Sequence, residues 1–272
     1  MNNKSTQSTM LLPYVLWLVL FVFAPLLLLI YQSLLNIDGQ FTLANIVTYF
    51  TSATYVTMTI QSFIFAGFIT AVTLFVSYPA AYVLTRTKHK ELWRILLILP
   101  TWINILLKAY AFIGILSQSG PVNGFLETMG IGRQQILFTN FSFILVATYI
   151  ELPFMMMPIM NAIDEIDPSL IKASHDLGAN AWETLRNIII PLSMNGVRSG
   201  IQAVFIPSLS LFMLTRLIGG NRVITLGTAI EQHFLVTQNW GMGSTIGIVL
   251  VILMFIVMKL TNNTRSKKRG GH

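Results

Sequence analysis

Two charged side chains stand where charge is expensive. Lys108 is the one charge in the apolar run from Ile95 to Leu116, and Glu151 is the one charge from Ile136 to Ile163. A charge in mid-bilayer costs about 2.5–3.5 kcal/mol on insertion scales, so such a residue pairs or works. Two arrangements meet that cost. Lys108 and Glu151 can pair with each other inside the membrane. Alternatively, Glu151 faces a pathway and steadies a passing cation while Lys108 finds another partner. A carboxylate flanked by aromatic faces suits an ammonium group through charge and cation–π attraction. Trp102, Tyr110, Tyr149, Phe154 and Phe212 are the candidate aromatics.

Enzyme chemistry finds no footing. The chain has no Cys, and His89, His175, His233 and His272 are scattered with no pair at helical spacing. Metal sites and thiol nucleophiles are therefore not expected. No G-x-x-x-x-G-K-[ST], G-x-S-x-G or H-E-x-x-H occurs. A chain without a P-loop cannot hydrolyse ATP by that route, so energy must come from another subunit or from an ion gradient. The expectation is a non-catalytic chain that binds no cofactor or metal itself.

A second stretch stands apart from its surroundings. Residues 167–192, DPSLIKASHDLGANAWETLRNIIIPL, are polar and lie between two apolar blocks. Asp167 suits an N-cap and Pro168 the first helical position. Gly178 falls where a left-handed residue would end that helix. Asn180 with Glu183 has capping-box spacing, a second helix follows from Ala181, and Pro191 turns the chain into the next apolar block. Leu170, Ser174 and Leu177 share one helical face; Trp182, Leu185 and Ile189 share another. The result is a helix–Gly–helix knob. It serves either as a plug for a groove on a soluble partner or as a self-packed pair lying on the membrane.

The elements that must carry these groups are membrane helices. The 272 residues are 54% hydrophobic and 10% charged, against about 25% charged in soluble domains. A crossing needs roughly 20 mostly apolar residues. Six runs qualify: 10–35, 61–84, 95–116, 136–163, 195–217 and 242–260. The first is too long for a signal peptide's apolar region and lacks a cleavage pattern, so it reads as a retained helix. Six crossings put both termini on one side. That side collects Lys4, the Arg86–Arg94 group, Lys172, Arg186, Arg198, Lys259 and the basic tail 261–272, against Arg133, Arg216 and Arg222 on the other. Basic flanks mark the cytoplasm, so both termini and residues 161–195 are expected inside. The RSKKR tail reads as an anchor near anionic lipid, and no nucleic-acid partner is expected. Prolines at 25, 79, 100, 153, 158 and 207 mark bent helices, and Gly196/Gly200 and Gly243/Gly247 mark close helix approach.

Residues 172–191 resemble the EAA loop of ABC importer permeases: Glu-Ala-Ala, three residues, Gly, nine residues, Ile-x-Leu-Pro. Here the pattern reads Lys172-Ala173-Ser174, then Gly178, then Ile188-Ile189-Ile190-Pro191. Lys172 stands for the acidic residue and Ser174 for the second Ala. The stretches ILPTWINILLKAYAFIGIL, LPFMMMPI and LIGGNRVITLGTAI further resemble the B-type permeases of spermidine/putrescine importers. The resemblance implies a single all-α permease domain over residues 1–272, of the type I importer fold with six crossings, in a bacterial inner membrane. It implies a coupling helix between spans four and five that docks into an ATPase through Lys172, Ala173, Ser174, Asp176, Leu177, Gly178, Trp182 and Pro191. It also implies the partners: a second, related permease, two ATPase subunits that bind ATP and Mg, and an extracellular or periplasmic substrate-binding protein. The alternatives are a permease for another small solute, or a carrier driven by an ion gradient with Glu151 as its coupling site.

Overall fold

The computed structural model describes residues 3–220 and 222–262, and side chains from Leu11 to Thr261; most of the basic tail 261–272 lies outside the described residues. Helices build it. Among the described residues the only extended pairing is a bridge between Leu35 and Phe41. In chain order the helices are α1 (Asn3–Leu18), α2 (Ala24–Ser33), α3 (Ala44–Thr51), α4 (Ala53–Thr85), α5 (Lys90–Ile98), α6 (Ile105–Leu116) and α7 (Pro121–Thr128). They continue with α8 (Asn140–Asp164), α9 (Pro168–Asp176), α10 (Ala181–Thr184), α11 (Ile190–Ser208), α12 (Phe212–Leu217), α13 (Leu226–Glu231) and α14 (Trp240–Asn262). Two compact units emerge: residues 1–57 with 229–253, and residues 58–228 with 254–272.

Among the described residues, five helical stretches are long and apolar enough to cross a bilayer: Leu11–Ser33, Ala53–Thr85, Ile105–Thr128, Asn140–Asp164 and Trp240–Thr261. Two expected runs differ from this. The run 95–116 is broken. Pro100 sits in a 3₁₀ turn, Leu99–Trp102, Ile103 is extended, and Asn104 restarts the helix by accepting the Leu106 N–H at 2.8 Å. The crossing stretch therefore begins at Ile105, with Trp102 just ahead of it. The run 195–217 is also divided. α11 ends at Ser208, one residue after Pro207, and α12 restarts at Phe212. Asn195, Arg198 and Gln202 make α11 too polar to count as a crossing on composition alone.

In the first unit, the Asn45 side chain donates to the carbonyls of Ser33 and Leu35 at 3.1 and 2.8 Å, tying α3 to the end of α2. Tyr49 stacks on Tyr55, whose hydroxyl is 2.9 Å from His233 Nε2. Burial pushes the His233 imidazole below its usual pKa, so the neutral ring is the form this packing favours.

The second unit holds the core that positions the chemistry. Thr139 and Ser142 form a reciprocal cap on α8, which buries Phe143, Val146, Ala147, Met155, Ile159 and Met160 almost completely. α11 lies directly against it. A Cβ at Gly200 would meet Met155 Sδ at 2.7 Å and its carbonyl at 3.0 Å; one at Gly196 would meet Ala162 Cβ at 2.6 Å. The two glycines therefore set the α8–α11 distance, as small residues do between membrane helices.

Gly200→Leu is expected to lower the thermal midpoint in detergent, with an overpacking cost of about 1–3 kcal/mol. Gly67→Ala, at a helical site with open space around it, is expected to hold or raise that midpoint. Differential scanning fluorimetry of the two variants checks the contrast.

Candidate functional site

α6, α8 and α11 border one open cavity of about 470 Å³. Trp102, Asn104, Ile105 and Lys108 line it from the start of α6, Ile150, Glu151 and Phe154 from α8, and Ala203 and Pro207 from α11. Lys108 lies one turn into α6, its N–H bonded to the Asn104 carbonyl at 3.2 Å. Glu151 is 5% exposed, and Trp102 is 81% exposed. No N···O approach of 4.0 Å or less joins Lys108 to Glu151 among the described residues. They share a cavity without direct contact. Tyr110, Tyr149 and Phe212 do not line it. Tyr149 meets the Phe112 ring edge-on at 5.0 Å, Tyr110 is exposed, and Phe212 opens α12.

The polar segment is built as a capped pair of helices. Asp167 accepts the Ser169 N–H at 2.8 Å, which holds its carboxyl below the usual carboxylate range. That contribution to α9 is present above the unfolded carboxylate pKa and is lost as pH falls through the lowered value. Gly178, at φ +84°, closes α9: its N–H reaches the His175 carbonyl at 2.9 Å, and the Ala179 N–H reaches that of Ser174 at 3.0 Å. Asn180 and Glu183 cap each other reciprocally at 2.8 and 2.9 Å. Between the helices, Ser174 Oγ and Thr184 Oγ1 meet at 2.9 Å, both buried. The hydroxyl at 174 thus has a structural use that an Ala there could not supply. Lys172, Ala173 and Asp176 are exposed, with Leu177 at 88% and Trp182 at 65%. Apolar surface is offered outward.

Pro191 does not turn the chain. α10 runs through a π-helical turn, Leu185–Ile189, into α11, and Pro191 occupies the first turn of α11. A proline inside a continuous helix removes one backbone N–H and crowds the preceding turn, and here a π-helical turn lies directly ahead of it. α10 and the Ala203–Pro207 wall of the cavity are thus parts of one helical rod.

One ionic cluster was hidden among charges that read as topology markers. Asp164, at the end of α8, receives Lys90 Nζ at 3.1 Å and also Arg94, while Arg94 holds Glu91 at 2.9 Å. No spacing in the sequence brings residue 90 to residue 164. The Asn104 cap was legible in principle, since Asn directly precedes an apolar helix there.

A helical permease body with a cavity at its core and a capped knob on the polar side defines the class. Residues 5–269 match the family described as binding-protein-dependent transport system inner membrane component, and the chain belongs to that family. It is an inner-membrane permease subunit of an ABC importer. Among its relatives, the spermidine/putrescine transport system permease protein PotB of Haemophilus influenzae is 33% identical, covering 94% of this chain and 93% of the relative. PotB of Escherichia coli K12 is 36% identical, covering 92% and 94%. A chain of the bacterial alginate ABC transporter, crystallised with an alginate pentasaccharide-bound periplasmic protein, shares the fold: TM-score 0.83 at 19% identity, covering 98% and 96%.

A nearly buried carboxylate with no ion-pair partner is a stability cost. Glu151→Met is expected to raise the thermal midpoint in detergent, by about 1 kcal/mol or more of stability, while abolishing uptake. Melting curves and uptake assays on the same preparation check both halves.

Proposed function

We propose that this chain forms half of the translocation pathway of an ATP-driven polyamine importer, for substrates of the spermidine and putrescine class. The observation that carries this reading is the cavity that sets the Glu151 carboxylate beside Trp102 and Phe154. A polyamine is an alkyl chain with cationic groups. Its ammonium can be drawn by Glu151 while its methylenes and charge lie over aromatic faces. Lys108, at the cavity's edge, sets a limit: it disfavours a second cation close by and keeps the site from holding substrate too tightly. Kinship with the PotB relatives supports the same substrate class.

Counting α11 with α12 as the fifth crossing gives six, and basic flanks then put both termini in the cytoplasm. Residues 161–195 face the cytoplasm in that arrangement. The exposed Leu177 and Trp182 plug a cleft on an ATPase subunit, with Lys172, Ala173 and Asp176 around them. Lys172 in place of an acidic residue calls for a carboxylate on the ATPase side. A second, related permease completes the pathway. Two ATPase copies bind ATP and Mg, and a binding protein outside delivers substrate; this chain needs no cofactor of its own. When the ATPases close, the knob moves, the α10–α11 rod moves with it, and the Ala203–Pro207 wall shifts against α8.

In proteoliposomes holding the whole transporter and its binding protein, labelled spermidine uptake is expected to stop on ATP depletion and to survive an uncoupler. The reverse pattern favours a gradient-driven carrier. Gly178→Val must hold a β-branched residue in the left-handed region, at a cost of about 1–2 kcal/mol. Membrane insertion is expected to persist while co-purification of the ATPase and uptake are lost. Wild-type uptake by Gly178→Val would overturn the docking role.

A further inference from the structure

We infer that Asp164, held by Lys90 and Arg94, is a positioning residue that makes the docking knob and the aromatic wall of the cavity move as one body. The inference rests on the coupling role given to residues 161–195.

Asp164 is the last residue of α8 and stands three residues before Asp167, the cap of α9. Lys90 bonds its carboxylate at 3.1 Å, and Arg94 holds the other oxygen of the same group. The bridging side chains are 19–41% exposed, partly withdrawn from water. Both cations belong to α5. From Arg94 the chain runs through the rest of α5 and the Leu99–Trp102 turn straight into the cavity lining, a helical path of about 12 Å. Asp164 looks up α8 in the same way, over about 20 Å, to Glu151. The two legs are thus closed at one end by the ionic cluster and face each other across the cavity at the other.

The legs differ in stiffness. Between Glu151 and Asp164, α8 contains Pro153 and Pro158, each of which removes a backbone hydrogen bond. α5 itself contains no proline, and the one proline of that leg, Pro100, lies beyond it in the 3₁₀ turn. A push on α9 reaches Asp164 within three residues. Through the carboxylate it passes to α5 and so to Trp102. Without the bridge, the push reaches the cavity only through the proline-softened α8 and the α10–α11 rod, neither of which carries Trp102, and Trp102 no longer follows the knob. The bridge therefore sets how much of each ATPase stroke reaches the cavity, and it does so without touching substrate.

The test uses the complete transporter in proteoliposomes, reading uptake and ATP hydrolysis together. Asp164→Asn is expected to keep the ATPase bound and hydrolysing while uptake per ATP falls about fivefold or more. Reversal, with Asp164→Arg, Lys90→Glu and Arg94→Glu combined, is expected to restore the ratio. The chain has no native Cys. Arg94→Cys with Asp164→Cys is therefore expected to behave like Asp164→Asn when free, and to recover uptake when joined by a bifunctional thiol reagent. An unchanged ratio in Asp164→Asn, or a cross-link that blocks uptake, overturns the inference. If Asp164→Asn fails to assemble, the reversed variant decides: assembly without recovery of the ratio also overturns it. Wild-type uptake that proceeds without the ATPase overturns the coupling role itself.

Discussion

Gly196 and Gly200 let α11 touch the backbone and Met155 of α8, and the rest of the second unit depends on that approach. With any side chain at those positions the two helices would stand further apart. Ala203 and Pro207, one and two turns beyond Gly200, would then leave the cavity lining shared with Glu151 and Phe154. The same contact carries force. Because α11 continues back through the π-helical turn into α10, α10 and the cavity wall belong to one rod packed on α8. Small residues at such a seam permit sliding as well as closeness, since no side chain must unlock.

Charge placement follows the same economy. Between Ile95 and Ile163 the chain carries four charges, and Lys108 and Glu151, unlike Glu127 and Arg133, line one cavity. A direct pair would have been the cheaper arrangement for stability. Keeping them apart leaves the carboxylate without a direct ion pair among the described residues, with Lys108 acting on it only across the cavity.

Much of this was legible in the residues. The caps at Asp167 and Asn180, the left-handed Gly178 and the close approach at Gly196 and Gly200 are local rules, and local rules read well from spacing. The breaks were less legible. Ile95–Leu116 is apolar throughout, so hydropathy runs across the turn at Pro100; only the Pro-to-Asn interval marks where one helix ends and the next is capped. Pro191 misled in the opposite direction, because the helix continues through it by way of the π-helical turn ahead of it, and that turn has no residue signature. Of the five aromatics chosen for chemistry, Trp102 and Phe154 reach the cavity. Tyr149 shares α8 with Phe154 but faces Phe112 instead, Tyr110 lies further along α6, and Phe212 stands on α12; these placements depend on packing partners far away in sequence. The Asp164 cluster could not be read at all, since it joins positions 70 and 74 residues apart.

The polar segment departs from the EAA pattern at two positions, and the structure separates their meanings. Ser174 is turned inward, where its hydroxyl bonds Thr184 and clips α9 to α10. That change is answered within this chain. Lys172 is exposed and bonded to nothing that would use its charge internally, so any compensation for the lost acid must come from the partner's surface. The first change thus acts inside the segment, while the second leaves a cation on its surface, where an unlike charge on a partner would favour encounter and a like charge would oppose it.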